Sequence, residues 1–494
     1  MAAPLDAAAT AHPAAGSPPP MRPNIDAFDP GFLQDVVTGS VRLSAEQALR
    51  LQREMPIQTL GRWADARARH LHGDTLRTYV IDRNINYTNV CSAKCTFCAF
   101  RRDGDEDDAY TLEYDELLQK IQELVDIGGT QILMQGGMNP DLPLDWYLDL
   151  LGLIRERFPT VHVHAFSPPE FIEFVNFFDP PGANLEEKIR WVMTRLRDAG
   201  LASVPGGGGE IFAPAVRRKI GLGKCDAEAW LTVMRVAHEL GMNTSATMMY
   251  GHIEGIADRI HHMDMVRDWQ DRAVNDFAGS GGGRYMAFIS WPFQRENTPL
   301  GRLREWGTAE GDDFGAAFPG DVVARLDGSG TKDMHPEFGR RLRMVGSSEY
   351  LRTQAISRLY LDNIWSIGSS WVTMGPHVGQ VALAYGANDM GSVMMEENVV
   401  SSAGTTYCLG EPVLNRLIRD AGFIPAQRDN AYNVLKVHDG ADAPDQQITD
   451  WSTVRASKLH AQNAMGEDAP QDADVALSIS AKTEIDPASS GGGG

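Results

Sequence analysis

NINYTNVCSAKCTFCAF, residues 84–100, carries three of the five cysteines of the chain, Cys91, Cys95 and Cys98, within eight positions. At that spacing one loop presents three thiolates to a single iron–sulfur cubane, and a closed four-cysteine cluster needs a fourth ligand. Cys225 and Cys408 stand alone and far off. A structural zinc site completes four ligands, typically with a second CxxC or a His pair. His261 and His262 lie on a helical stretch without matching spacing. Three cysteines leave one iron open, and an open iron is a site for chemistry. The run INYTNV (85–90) just before them reads as a strand, so the cysteines follow a strand end.

Outward from this loop, short apolar runs alternate with helical patterns. TQILMQGG (130–137), VHVHAFS (161–167), SATMMYG (245–251), YMAFISW (285–291) and SWVTMG (370–375) read as further strands. Leu117, Leu118, Ile121, Leu124 and Val125 repeat at helical spacing, with Thr111 as the expected cap and Gly128-Gly129 as the stop. Other helices are expected over 143–157, 226–240, 258–271, 350–364 and 411–420. Strand–helix alternation of this kind is the sequence form of a parallel β/α barrel of the TIM type, an α/β fold with its sites at the C-terminal strand ends. One barrel domain is expected over 40–437, with 304–345, rich in Gly and Asp, as an insertion. Residues 1–39 read as an Ala/Pro-rich disordered start and lead-in, and 438–494 as an acidic, disordered tail. Within that tail, from Asp439 on, ten acidic residues face only Arg455, Lys458 and Lys482.

Composition narrows the function classes. The 494 residues are 43% hydrophobic and 22% charged, an ordinary globular balance. Lys+Arg 45 against Asp+Glu 66 gives a formal charge of −21, which argues against nucleic acid or an anionic membrane as an electrostatic partner. No apolar run reaches the ~18 residues of a membrane span, and the first residues lack the pattern of a secretory signal. Five cysteines in so long a chain are not a disulfide scaffold. The expectation is a soluble, cytoplasmic protein.

CxxxCxxC with Phe97 before the last cysteine, directly after the first strand of a β/α pattern, resembles the radical S-adenosylmethionine (SAM) superfamily. The resemblance implies a [4Fe-4S] cluster on Cys91, Cys95 and Cys98, with SAM chelating the open iron and yielding a 5′-deoxyadenosyl radical on one-electron reduction. It implies a SAM-facing turn at Gln135-Gly136-Gly137, where the plain reading is a turn after a strand. In Pro205-Gly-Gly-Gly-Gly-Glu210, after an expected fourth strand, Glu210 accepts from the ribose hydroxyls or is simply an exposed loop residue. After the fifth strand, Tyr250, His252 and Glu254 either face the cavity or, for Glu254, cap a helix. Period two turns His162, His164 and Phe166 to the lumen and Val161, Val163 and Ala165 to the helices. His164, nearer the C-terminal end, is a substrate-contact candidate or a satisfied lumen histidine. Asn388 and Asp389 read as turn residues, and Arg428 with Asp429 as a local pair.

Longer strings narrow the resemblance. GGTQILMQGGMNPDLPL (128–144), HAFSPPE (164–170), PGGGGEIF (205–212), ATMMYGHIE (246–254), WPFQRENTPL (291–300) and GANDMGSVMMEEN (386–398) together are similar to the cyclic dehypoxanthinyl futalosine synthases, over roughly 40–435. Gly209 stands where that family suggests Ala, Ser290 and Arg295 replace prolines, and 174–191, 304–345 and the tail look added. The resemblance implies cyclisation of dehypoxanthine futalosine on the way to menaquinone: hydrogen abstraction at ribose C4′, addition of the carbon radical to the benzoate ring, then loss of an electron and a proton. His164, His252 and Tyr250 are the candidate bases, and several Arg are candidates for the carboxylate. A one-electron donor such as flavodoxin or ferredoxin is implied as partner. Alternatives are an aminofutalosine synthase, a deazaflavin (FO) synthase-type enzyme, and a non-catalytic iron–sulfur or zinc-binding protein.

Overall fold

Strands this short and apolar are stable only when covered on both faces, and they pair in parallel as a β/α repeat requires. The computed structural model describes residues 17–277, 280–307 and 337–447. The first barrel strand is bent at Ile81 into β1 (Leu76–Val80) and β2 (Asp82–Ile85). On β2 pairs β3 (Gln131–Met134), and on β3 pairs β4 (His162–Ala165). Two parallel bridges, His164 to Ser203 and Val204 to Thr244, form a minimal fourth strand that joins β4 to β5 (Thr244–Tyr250). β5 pairs with β6 (Tyr285–Pro292). A side pair, β7 (Arg304–Glu305) with β8 (Arg341–Leu342), stands apart from the ring. β6 then pairs with β9 (Ser366–Gly368), β9 with β10 (Asp389–Ser392), and β10 with β1. Eight strands close the expected barrel.

Beyond the ring, β11 (Ile424–Arg428) pairs with β1 and antiparallel with β12 (Val434–Val437). The loop between them reaches the N-terminal strand ends. Arg428 binds Asp389 at 2.5 and 2.9 Å, and Asn430 donates to Gln131 at 3.0 Å. Arg428 is thus not paired with the Asp429 side chain: Asp389, buried at the first position of β10, is the carboxylate in reach, and Arg428 meets only the Asp429 carbonyl.

Helices follow the apolar periodicity. Leu144–Arg157, Ala227–Glu239 and Glu411–Asp420 lie within two residues of expectation, while Ile256–Asp276 runs longer and Ser347–Tyr360 ends earlier. Thr111 does not cap Tyr114–Asp126; Glu113 holds that position, and Thr111 pairs with Thr88 at 3.0 Å.

Three other expectations change. Residues 86–90 are not a strand: their backbone bonds go to loop residues, Leu112 N–H to the Tyr87 carbonyl at 2.8 Å and Arg102 N–H to that of Asn89 at 2.8 Å. SWVTMG forms the short helix Trp371–Met374, because the strand has already ended at Gly368 and Pro376 opens the next helix. The ordered chain begins well before residue 40. Helix Pro30–Thr38, capped by Asp29 at 2.7 Å, buries Phe32, Leu33, Val36 and Val37 and packs against helix Ile57–His72. It also continues past 437, where His438 meets Tyr79 at 2.8 Å and Asp445 meets Arg419 at 2.7 Å. Residues 448–494 and 308–336 lie outside the described residues, as do 1–16; the base of the expected insertion is the β7–β8 pair. No helix among the described residues is long and apolar enough to cross a membrane.

Candidate active site

A cavity of about 240 Å³ opens at the C-terminal strand ends, lined by residues that follow β2, β3, β4 and the minimal fourth strand and by residues at the ends of β5 and β6. The cysteine loop forms one wall. Its backbone is pinned on three sides: Ser92 N–H to the Met138 carbonyl at 2.9 Å, Lys94 N–H to Leu222 at 2.9 Å, and Thr96 N–H to Ile220 at 2.9 Å. Cys91, Cys95, Phe97 and Cys98 all line the cavity. All five cysteines are free, and neither Cys225 nor Cys408 reaches the cavity.

The donor set fits an iron–sulfur cluster. Burial pushes the Cys95 thiol up to about 12 and raises that of Cys91, so thiolates here need a cation beside them. Among the described residues no three His, Cys, Asp or Glu side chains converge as ligands of one ion. A cubane offers each thiolate a separate iron and does not require such convergence, whereas a zinc knuckle does. His262 is buried and bonded to the Thr247 carbonyl at 3.0 Å.

Facing the cysteines is the Gln135-Gly136-Gly137 turn at the end of β3. Gly137 N–H bonds the Thr88 carbonyl at 2.8 Å. A Cβ on Gly136 would run into the Tyr87 ring, and one on Gly137 into the Val90 carbonyl, so only glycine permits this approach. Glu170 holds the turn from behind. It is the third residue of helix Pro168–Phe178 and forms a capping box with Ser167. Its carboxylate accepts from Gly136 N–H at 3.2 Å, the Tyr87 hydroxyl at 2.7 Å, and Ser167 N–H and hydroxyl at 2.7 and 2.6 Å. Burial raises its pKa, and these four donors oppose the rise.

The third wall is the loop Gly206–Glu210. Arg217 clamps it, donating to the carbonyls of Gly208 and Gly209 at 2.9 Å each, and Trp230 donates to that of Gly207 at 3.0 Å. At Gly209 a Cβ would sit 2.5 Å from the Thr247 carbonyl oxygen, so the departure from Ala lets the loop lie closer to β5. Glu210, at a left-handed φ of 36°, is buried in the cavity wall and paired with Lys224 at 2.9 Å. Lys224 lies 5.0 Å over the Phe97 ring; burial would lower its pKa, but Glu210 and Cys95 outweigh that and raise it. The fourth wall is apolar: Trp291 and Pro292 at the end of β6 and Phe293 just after it, with Val399, Val400 and Ala403. Glu397 fixes that last loop by accepting from the N–H groups of Val399, Val400 and Ser401 at 2.8–3.0 Å. Arg295 braces the loop after β6 through the carbonyls of Gly301 and Leu303.

Four expected site residues lie outside this cavity. His164 faces the lumen, as its alternation implies, but one strand step below; with His162 it shares the Ser203 hydroxyl at 2.6 Å, and burial lowers its pKa to about 3. Phe166, at φ 59°, leaves the alternation and packs among Tyr147, Phe171 and Phe174. Of Met249–Glu254 only Met249 lines the cavity. Glu254 is buried, accepts from His252 N–H at 2.9 Å and pairs with Arg259 at 2.7 Å, the His252 ring accepts from Ile253 N–H at 2.8 Å, and Gly255 is the helix N-cap. Tyr250 is buried under the Arg259 guanidinium at 4.6 Å. Reading from sequence missed Glu170, Lys224 and Arg101. The Ser-x-x-Glu box was the signal for Glu170; the other two had none.

Comparison with known proteins agrees with this arrangement. Residues 85–266 match the Radical SAM superfamily, and residues 335–440 match the CofH/MqnC C-terminal region. The chain is 39% identical to cyclic dehypoxanthine futalosine synthase of Halalkalibacterium halodurans, over 84% of this chain and 97% of that protein. It is 37% identical to the Streptomyces coelicolor protein of the same name, over 81% and 87%. Aminodeoxyfutalosine synthase of Thermus thermophilus is 35% identical over 81% and 95%. In fold, the chain matches methylornithine synthase (PylB) with TM-score 0.55 at 16% identity, covering 80% of this chain and 97% of that one. The [FeFe]-hydrogenase maturase HydG gives TM-score 0.53 at 13% identity, covering 82% and 77%. The chain belongs to the cyclic dehypoxanthine futalosine synthase family of radical SAM enzymes.

Proposed function

We propose that this enzyme cyclises dehypoxanthine futalosine to cyclic dehypoxanthine futalosine in menaquinone biosynthesis. The observation that carries the reading is the meeting, in one cavity, of three free cysteines, a Gly-Gly turn and an apolar wall, in a chain that spans nearly the whole length of a relative with that name. Cys91, Cys95 and Cys98 would hold a [4Fe-4S] cluster. Gln135, Gly136, Gly137, Glu210 and Phe97 would hold SAM. When bound, the pair supplies a hydrogen-abstracting 5′-deoxyadenosyl radical, and a flavodoxin- or ferredoxin-like carrier supplies the electron.

The protein contributes position and dryness. The net change removes two hydrogens and joins ribose C4′ to the benzoate ring. That requires the ring to be held at ~3–3.5 Å from C4′, which is the part of the barrier that positioning lowers. Trp291, Phe293, Val399 and Val400 offer an aryl ring apolar contact and exclude water. His164, His252 and Tyr250, lying off the cavity wall, do not carry the base role in this reading.

The test is anaerobic: protein reconstituted with iron and sulfide, then dithionite, SAM and dehypoxanthine futalosine, with products read by mass spectrometry. The expected product is two hydrogens lighter than substrate, with stoichiometric free 5′-deoxyadenosine, and Cys95→Ala abolishes both. An adenosyl group retained in the product would instead favour the aminodeoxyfutalosine synthase chemistry of the Thermus relative. Intact SAM despite a full cluster would leave a non-catalytic protein.

A further inference from the structure

We propose that Arg101 is the cationic partner of the substrate's aromatic carboxylate, an assignment that rests on the cyclase reading above. The charges of the cavity wall carry it. Cys91, Cys95 and Cys98 are committed to a cluster. Glu170 has its carboxylate oxygens taken by four donors. Glu210 and Lys224 hold each other at 2.9 Å. Among the described residues that line the cavity, Arg101 is the one remaining charged side chain.

Its own bonds are incomplete. The guanidinium meets Asp103, two residues along, through Nη2 only. Its Nε is shut from solvent, so the Nη1 and Nη2 end of the guanidinium is the part that can meet a ligand. Asp103 is 53% exposed against 19% for Arg101, so this pair lies at the edge of the cavity and contributes little. A carboxylate bound by two parallel N–H···O bonds is the partner that a guanidinium fork fits best, and Lys cannot reproduce it. Phe100, Trp291 and Phe293, which all line the cavity, supply apolar surface for the ring that bears the carboxylate. An aryl carboxylate satisfies both features at once: charge at Arg101, ring in the apolar cleft.

The experiment compares dehypoxanthine futalosine with its neutral carboxamide analogue. Both are bound, by anaerobic equilibrium dialysis, to cluster-loaded wild type, Arg101→Gln and Arg101→Lys in the presence of SAM. Wild type should prefer the acid by roughly 10- to 100-fold, the span of a charge-assisted bond pair. Arg101→Gln should bind acid and amide alike, and Arg101→Lys should keep part of the preference. In turnover the glutamine variant should show a raised KM and more 5′-deoxyadenosine released per product. Equal discrimination by Arg101→Gln and wild type, or no preference in wild type, overturns the assignment. If Arg101→Gln does not load cluster, the lysine variant decides: undiminished preference there also overturns it. Wild type that converts substrate while failing these comparisons leaves the cyclase reading intact; wild type that does not convert it sinks both.

Discussion

Glu170→Gln separates a carboxylate that holds the Gly-Gly turn from one that merely fills space. The side chain keeps its shape but exchanges one acceptor oxygen for a donor nitrogen. On one side of the carboxylate are Ser167 N–H at 2.7 Å and the Ser167 hydroxyl at 2.6 Å; on the other are the Tyr87 hydroxyl at 2.7 Å and Gly136 N–H at 3.2 Å. Both hydroxyls can turn to accept from the new amide, but the backbone N–H groups cannot. One N–H is therefore orphaned, and the longest bond, to Gly136, is the one to give way. The cost is about 1–3 kcal/mol for a buried unsatisfied donor. Glu170→Ala orphans both backbone N–H groups and should cost ~2–6 kcal/mol on the same scale. Urea unfolding reads the stability, and equilibrium dialysis reads SAM affinity, which should fall as the Gly136 turn loosens. If Glu170→Gln matches wild type in both, the carboxylate is not what fixes the turn.

Three further outcomes follow from the packing. Gly209→Ala places a methyl 2.5 Å from the Thr247 carbonyl oxygen and should destabilise by about 1–3 kcal/mol in urea unfolding; a neutral result would mean that the Gly206–Glu210 loop is free to shift. Asp389→Asn removes the partner of the buried Arg428 and should cost about 3–5 kcal/mol in the same assay while leaving substrate KM unchanged, since both residues lie at the far end of the barrel. Burial, with Glu254 adding, raises the Asp258 pKa from 3.8 to about 7. The folded state thus binds this proton more tightly than the unfolded chain, and the stability it contributes is present below pH 4 and lost as pH rises through 7. Asp258→Asn, which can still accept from Gly255 N–H, should gain about 2.5 kcal/mol relative to wild type at pH 8 over pH 5; an unchanged difference between the two proteins would refute the shift.

The parts of the fold that were legible in the sequence are those written in local chemistry. Pro143 before Leu144–Arg157, Asp226 before Ala227–Glu239 and Gly410 before Glu411–Asp420 are stop-and-start signals that act within one turn, and the helices begin there. The cysteine loop and the Gly-Gly turn were readable for the same reason, since three thiols or two glycines in a row constrain the backbone wherever it goes. Strand limits were less so. INYTNV has the residue types of a strand, yet its partners are Arg102 and Leu112, which no local pattern announces. SWVTMG failed because β9 uses only Ser366–Gly368, too few residues to display a period of two.

Depth along the barrel is the coordinate that periodicity does not encode. Alternation correctly turned His164 inward, but whether an inward residue meets substrate depends on its layer. Register puts Asn84, Leu133 and His164 side by side, and the cavity begins two residues further on, at Asn86 and Gln135. His164 is therefore a floor residue, and its pairing with Ser203 satisfies it there. The same reasoning explains why His252 and Glu254, just beyond β5, turn away: an ion pair with Arg259, closed within seven residues, needs no ligand to hold it. Arg101 is the opposite case. It sits in a loop with no period at all, and only the three-dimensional path of 99–101 beside Cys98 brings it to the cavity. A charged loop residue whose strongest local partner is exposed remains available to a ligand, and in this barrel that condition, more than inward direction, marks the residues open to substrate.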